Sequence, residues 1–208
     1  MEKFTNHLKV FEHREVRRKV IHLSSIFIPL IFSYVSFTSF IILFCIIFGG
    51  WVFLDRQRRS KPQIEALLQR FLGDVFRPEE AHSYSGATYL GLGVLLTTVF
   101  FEHKTAVMAL TILAVCDSVA SLVGAKYGHI KIGNKSLEGA LGFFVSGLVV
   151  VCLFVWGFGY KAIFLWENIF ALAMATFAEL YSERLKINDN LLIPLVFSLA
   201  VALLESAV

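Results

Sequence analysis

The sequence has 208 residues, of which 57% are hydrophobic and 17% are charged, and its mean hydropathy is +0.70. A soluble domain averages about 25% charged and about 45–50% apolar residues, so this composition excludes a soluble protein and predicts an integral membrane protein. The net charge is only +3, and no nucleic-acid-binding motif is present, which argues against nucleic acid as a partner.

Hydropathy predicts an all-α polytopic membrane protein with seven transmembrane helices in a single domain, residues 1–208. The first two spans are expected to form a hairpin with a tight turn near residues 36–39. The first span follows a long charged segment and no small-residue cleavage site comes after it, so it is not interpreted as a signal peptide. The predicted spans are 20–37, 38–54, 85–101, 104–123, 137–159, 162–181 and 190–206.

The basic residues predict an N-in, C-out orientation, because positive charge accumulates on the cytoplasmic side of membrane proteins. Every Lys and Arg of the chain except Lys104 and Lys161 falls in a segment that this orientation places inside. The short loops and the lack of a transit segment favour a prokaryotic plasma membrane. The cytoplasmic segments are about 1–19, 55–84, 124–136 and 182–189.

The long 55–84 segment leaves the second span through the charged stretch DRQRRS and is predicted to contain an amphipathic helix that begins near Pro62. Its apolar residues recur at three- and four-residue spacing, which indicates a helix lying on the inner membrane surface. Its role is interpreted as structural, with a lid over a site as the alternative. The apolar residues are Ile64, Leu67, Leu68, Phe71 and Leu72.

Ionisable side chains within or at the edge of the spans are candidates for function, because they are costly in hydrocarbon. In the predicted topology they form one layer near the cytoplasmic face. Their carboxylates are hard oxygen ligands of the type that Mg²⁺ uses together with substrate phosphates. The residues of this layer are His22, Asp117, Glu138, Glu179, Asp189 and Asn190.

The polar stretch 124–142 lies between two spans and combines lysines with glycines, a composition suited to binding phosphate. It resembles a Walker A loop between Gly128 and Ser136, but Asn134 breaks the spacing and no strand precedes it, so this interpretation is rejected. The alternative is a structural role, in which these residues form a ring of interfacial lysines paired with acids. The candidate phosphate-binding residues are Arg18, Lys19, Gly124, Lys126, Gly128, Lys131, Gly133 and Lys135.

Three stretches resemble the CTP-dependent lipid-alcohol kinases, the family of dolichol kinase, phytol kinase and CTP-dependent diacylglycerol kinase. Residues 116–144, CDSVASLVGAKYGHIKIGNKSLEGALGFF, are similar to its central signature, and 14–25 and 178–195 are similar to its first and last motifs. Cys116 stands where the family usually has Gly, and Asn188 where it usually has a first Asp.

The resemblance implies a kinase that transfers the γ-phosphate of CTP to the hydroxyl of a polyprenol, phytol-like alcohol or diacylglycerol at the cytoplasmic face. It implies Mg²⁺ held by Asp117 and by Glu138 or Asp189. Lys135 and Glu179 join the catalytic set, and Asp117, Glu179 and His22 are alternative general bases. The resemblance extends the nucleotide-binding set to Asn134, Ser136 and Asn190.

Two other functions remain open from the sequence. The central motif is also similar to that of phosphatidate cytidylyltransferase, which transfers CMP from CTP, although this chain is shorter than typical members of that family. A small transporter or another non-enzymatic membrane protein is the second alternative. It is disfavoured because the charges gather at one face and the chain shows no duplicated halves.

Overall fold

The structure is a computed structural model that describes residues 18–72, 76, 80, 83–157 and 165–206. Parts of the predicted cytoplasmic segments 1–19 and 55–84, and the facing ends of the fifth and sixth predicted spans, lie outside the described residues. The described chain is helical throughout except for its turns and one two-stranded hairpin, which confirms the all-α class.

Eight α-helices and one β-hairpin make up the described part of the chain, with a helical stretch at 18–23 ahead of them. A 3₁₀ turn, Ser24–Ile26, joins that stretch to the first helix, and a π turn, Leu153–Gly157, extends the sixth. The elements in chain order are α1 Phe27–Tyr34, α2 Phe37–Ser60, α3 Pro62–Leu72, α4 Gly86–Phe100, α5 His103–Tyr127, β1 Lys131–Ile132, β2 Lys135–Ser136, α6 Leu137–Cys152, α7 Leu165–Leu185 and α8 Asp189–Glu205.

Local signals explain where several helices begin. Ser36 caps α2 by accepting the backbone N–H of Ser39 at 3.3 Å, so the predicted turn between the first two spans lies just before α2. Pro62 opens α3, a position where its missing N–H costs no helical hydrogen bond. Asn188 caps α8 by accepting the N–H of Asn190 at 3.1 Å.

Helix α5 is the centre of the fold. It packs along α6 and also contacts α1, α4 and α8. Its side chains Met108, Ile112 and Leu113 are buried in one core together with Phe143 of α6 and Phe197 of α8. Because α5 is surrounded in this way, polar residues near its cytoplasmic end are brought into contact with several other elements.

Three of the described helices are long and apolar enough to cross a membrane by length and composition, and α4 is a shorter apolar helix. The three are Phe37–Ser60, His103–Tyr127 and Leu137–Gly157. Helix α2 also exposes a row of aliphatic side chains, among them Ile42, Leu43, Ile46 and Ile47, as a lipid-facing helix does. An integral membrane protein is therefore supported, and the seven spans and the N-in orientation stay predictions.

Candidate active site

Asp117 lies on the buried helix α5 and is the centre of the first group of charges. Its side chain is buried, and Lys19 Nζ donates to its Oδ2 at 2.6 Å and lies 3.4 Å from its backbone oxygen. The imidazole Nε2 of His22 lies 3.4 Å from the same Oδ2. One turn of helix separates Lys19 from His22, so the stretch 18–23 presents both to α5.

Lys135 is the centre of the second group. Its Nζ donates to Glu179 Oε1 on α7 at 2.7 Å and to Asp189 Oδ2 at the start of α8 at 3.2 Å. Burial of the ammonium acts to lower its pKa, but the charges of Asp189, Glu179 and Asp117 outweigh burial and raise the pKa of Lys135 above its usual value. The ammonium is therefore a permanent positive charge at neutral pH.

The β-hairpin holds Lys135 in this position. Its two-residue turn has Gly133 at a φ of +68° followed by Asn134, the arrangement of a type II′ hairpin turn. The N–H of Asn134 donates to Glu183 Oε2 of α7 at 3.0 Å, which fixes the tip of the hairpin. Ser136 ends the second strand and caps α6 by accepting the N–H of Gly139 at 3.1 Å.

A cavity of about 350 Å³ opens beside Asp117. Its lining includes the charged or polar side chains of Lys19, His22 and Asp189, together with apolar residues such as Ile28 of α1 and Leu90 of α4. His22 Nε2 and Ser25 Oγ are buried in its wall without a hydrogen-bond partner. The residues lining it are Arg18, Lys19, Ile21, His22, Ser24, Ser25, Ile28, Glu80, Gly86, Ala87, Leu90, Asp117, Asp189 and Asn190.

The donor set suits Mg²⁺ only in part. Within the described residues no three His, Cys, Asp or Glu side chains are grouped closely enough to hold a metal ion on their own. Asp117 and Asp189 nevertheless line the same cavity, and Glu179 Oε2 is buried without a hydrogen-bond partner. Two carboxylates with the remaining ligands supplied by phosphate oxygens and water are the usual way in which Mg²⁺ is held in phosphoryl-transfer sites.

The structure thus brings together half of the sequence-derived site, namely Arg18, Lys19, His22, Asp117, Lys135, Glu179, Asp189 and Asn190. Glu138 lies apart from them. Its carboxylate accepts the backbone N–H of Ile130 at 3.1 Å and 3.3 Å, and it does not line the cavity. Lys126 and Lys131 are exposed, with Lys126 Nζ 5.1 Å from the centre of the Tyr127 ring.

The glycines of the central motif have a packing role. A Cβ added to Gly139 would lie 2.9 Å from the Ala120 oxygen, and one added to Gly124 would lie 3.0 Å from Ser136 Oγ. A Cβ on Gly128 would collide with the Gly124 oxygen. These glycines let the end of α5 and the start of α6 approach closely, which is how the hairpin reaches α7 and α8.

The sequence-based interpretation missed a buried polar network beside the cavity. Asp55 and Arg58 belong to the stretch interpreted as a charged exit from the second span, yet they are 0% and 3% exposed and form an ion pair at 3.0 Å. They bind the segment that ends in Ser85, just before α4. The signal that could have indicated it is an acid and a base three residues apart at the end of an apolar helix.

Comparison with known proteins identifies relatives along most of the chain. An uncharacterized protein of Rickettsia prowazekii is 33% identical over 89% of this chain and 92% of its own length. The CTP-dependent diacylglycerol kinase 1 of Schizosaccharomyces pombe is 34% identical over 68% of this chain and 70% of its own length. The dolichol kinase of Saccharomyces cerevisiae is 34% identical over 63% of this chain.

The chain spans different shares of these kinases, from 25% of the dolichol kinase to 70% of the Schizosaccharomyces pombe protein. No family model matches the sequence. No solved structure matches it. The identity to the Schizosaccharomyces pombe enzyme extends over more than two thirds of both proteins, and the chain therefore belongs to the family of CTP-dependent lipid-alcohol kinases.

Proposed function

We propose that this protein transfers the γ-phosphate of CTP to the hydroxyl of a lipid alcohol at the cytoplasmic face of the membrane. The observation that carries the proposal is the cavity beside Asp117, which is lined by both charged and apolar residues. A lipid alcohol likewise combines a polar end with an apolar chain. CTP enters the proposal through the kinases to which the chain is related.

The apolar residues that line the cavity form the proposed binding site for the end of the lipid chain. Ile21, Ile28 and Leu90 line it, and neighbouring side chains such as Phe27 and Leu30 are exposed on the outer surface. A volume of about 350 Å³ is at the small end of ligand-binding cavities. The cavity therefore accommodates the hydroxyl end of the lipid, while the rest of the chain lies in the bilayer.

The nucleotide phosphates are proposed to lie beside the cationic residues of the cavity. Arg18 and Lys19 line it, and the protonated Lys135 pairs with Asp189, which also lines it. Phosphoryl transfer needs mainly positioning and neutralisation of charge on the phosphate oxygens, which these cations supply. Lys126 and Lys131 precede Lys135 in the sequence, and both are exposed. They are proposed to bind the part of the nucleotide that extends out of the cavity.

Mg²⁺ is proposed to be held by Asp117 and Asp189, with Glu179 beside them. When bound, the ion would neutralise charge on phosphate oxygens of the nucleotide. Glu138 is left out of this set, because its carboxylate accepts the N–H of Ile130 and does not line the cavity. In this proposal Lys19 and Lys135 balance the carboxylates in the free enzyme and turn toward phosphate oxygens when CTP binds.

We propose that His22 accepts the hydroxyl proton, and that the nearby Asp117 carboxylate stabilises the protonated imidazole. Of the three alternative bases, Glu179 does not line the cavity, and Asp117 accepts from Lys19 at 2.6 Å. His22 lines it, 3.4 Å from Asp117 Oδ2. As the hydroxyl oxygen bonds to the γ-phosphorus, its proton passes to the imidazole, the bond from the γ-phosphorus to the bridging oxygen breaks, and CDP leaves.

The test is transfer of label from CTP carrying radioactive phosphorus at either the α or the γ position. Purified protein is incubated with Mg²⁺ and each of a polyprenol, phytol, a diacylglycerol and phosphatidate. We expect γ label, and no α label, in the alcohol product. Transfer of α label to phosphatidate would instead establish the cytidylyltransferase alternative, and no transfer to any lipid would overturn both enzymatic functions.

A further inference from the structure

The buried ion pair of α2 lies outside the proposed catalytic set. Asp55 and Arg58 are 0% and 3% exposed, although they lie on a helix that is otherwise suited to cross the membrane. The attraction within a buried ion pair offsets the free energy of desolvation only when additional hydrogen bonds satisfy both partners. The contacts of this pair therefore indicate what it holds in place.

Asp55 holds the first turn of α4. Its Oδ2 accepts the backbone N–H of Ser85 at 2.9 Å, the Ser85 hydroxyl at 2.9 Å and the Thr88 hydroxyl at 2.5 Å. Trp51, one turn earlier on α2, also donates to the Thr88 hydroxyl at 3.1 Å. A carboxylate at this position stabilises the N-terminus of a helix through hydrogen bonds and through the helix dipole.

Arg58 holds the segment just before α4. Its Nε donates to Asp55 Oδ1, and its Nη2 donates to the backbone oxygens of Glu80 and Ser83, all at 3.0 Å. The guanidinium also lies 4.7 Å from the centre of the Phe76 ring. One arginine thus binds the carbonyl groups of two described residues that lie between α3 and α4.

Glu80 connects this network to the cavity. It is 8% exposed, it lines the cavity, and its Oε1 accepts the backbone N–H of Gly86 at 3.0 Å. The Gly86 oxygen in turn accepts from Asn190 Nδ2 at 3.1 Å. Asn190 also lines the cavity and directly follows Asp189, so a continuous set of hydrogen bonds runs from α2 through α4 to the start of α8.

We propose that Glu80, held by the Asp55–Arg58 pair, is a positioning residue that sets the α4 wall of the lipid-alcohol site. The inference rests on the proposed function. The α4 wall consists of Gly86, Ala87 and Leu90, which belong to the part of the lining assigned to the lipid. The contact of Glu80 with α4 is therefore expected to control binding of the alcohol rather than binding of CTP.

The experiment measures KM and kcat separately for CTP and for the lipid alcohol. Glu80→Ala removes the acceptor of the Gly86 N–H, and we expect it to raise the KM for the alcohol about tenfold with an unchanged KM for CTP, since one buried hydrogen bond is lost. Glu80→Gln keeps an acceptor oxygen and is expected to retain the wild-type KM. Arg58→Lys removes the planar guanidinium that binds Asp55 and both carbonyl groups at once, and it is expected to behave as Glu80→Ala does.

The matched controls are Arg59→Lys and Glu65→Gln. Arg59 follows Arg58 directly but stacks on the Tyr84 ring at 3.8 Å, and the Glu65 carboxylate pairs with Gln69 on α3. Both are expected to leave the two KM values unchanged. A purely structural role for the network would lower kcat in proportion to the folded fraction and leave the KM for the alcohol unchanged, which would overturn the inference.

Different results would contradict the positioning role of Glu80 and the proposed function. If the wild-type protein phosphorylates no lipid alcohol, the proposed function fails. If the wild-type protein is active and Glu80→Ala keeps its KM for the alcohol, only the positioning role fails. If Glu80→Gln loses alcohol binding as fully as Glu80→Ala, the carboxylate charge acts directly, and the positioning role is again overturned.

Discussion

At the scale of single residues, the site consists of carboxylates that are each balanced by a lysine from a distant part of the chain. Lys19 pairs with Asp117, and Lys135 pairs with Glu179 and Asp189. Buried carboxylates without such partners would be strongly destabilising. The same lysines are the groups that phosphate oxygens would attract, so the charges that stabilise the free protein are also those suited to bind a nucleotide.

Replacing Lys135 tests this double role. We expect Lys135→Met to reduce the rate of γ-phosphate transfer by about 10²- to 10³-fold, because it removes a preorganised positive charge from the site. Lys61→Met is the control, since Lys61 is an exposed lysine at the end of α2. Transfer is measured with labelled CTP, and folding is checked by thermal unfolding in detergent. Turnover close to that of the wild type would contradict the role assigned to Lys135.

Several of these residues could be predicted from the sequence, because an ionisable side chain in an apolar run is conspicuous. Asp117 and Glu179 were found in this way, and the structure places them near Lys135. Glu138 met the same criterion, yet its side chain accepts the Ile130 N–H and does not line the cavity. Sequence position fixes the depth of a residue along the membrane but not the side of the helix that faces the site.

At the scale of elements, the position of Lys135 depends on three consecutive parts of the chain. They are the end of α5, the hairpin and the start of α6. Gly124 and Gly139 allow the two helices to approach, and Ser136 caps α6. The tip of the hairpin is bound to Glu183 of α7. Lys135 therefore reaches Glu179 and Asp189 only because the two helices before and after the hairpin are this close.

Adding a methyl group at this contact tests its importance. We expect Gly139→Ala to destabilise the protein by about 1–3 kcal/mol, because the new Cβ would lie 2.9 Å from the Ala120 oxygen and force the helices apart. Gly50→Ala on α2 is the control, since no atom lies within 4 Å of the added Cβ and alanine favours the helix. Thermal unfolding in detergent measures both. A Gly139→Ala variant as stable as Gly50→Ala would refute the close-contact role.

At the scale of the whole molecule, the basic residues are unevenly distributed between the two predicted sides of the membrane. The predicted inner segments contain every Lys and Arg except Lys104 and Lys161, and the site residues lie at the ends of helices that border those segments. The active site is therefore proposed to face the cytoplasm. Three described helices meet the length and apolarity of a span, and the full number of spans stays a prediction.

Labelling of single cysteines tests the proposed orientation. In a variant with Cys45, Cys116 and Cys152 replaced by serine or alanine, we introduce Lys104→Cys or Lys61→Cys. Both side chains are exposed. A membrane-impermeant maleimide added to intact cells is expected to label residue 104 and to label residue 61 only after the cells are permeabilised. The reverse pattern would overturn the N-in orientation and with it the cytoplasmic site.

The sequence by itself determined the class of protein, the helical fold and the family, because hydropathy, charge and motif are properties of short stretches of chain. Only the tertiary structure decided which charges meet. Lys19 and Asp117 are 98 positions apart, and their contact depends on how α5 packs against the helical stretch 18–23. The burial of Asp55 and Arg58 was decided in the same way, since a charged helix end becomes a buried network only when another segment covers it.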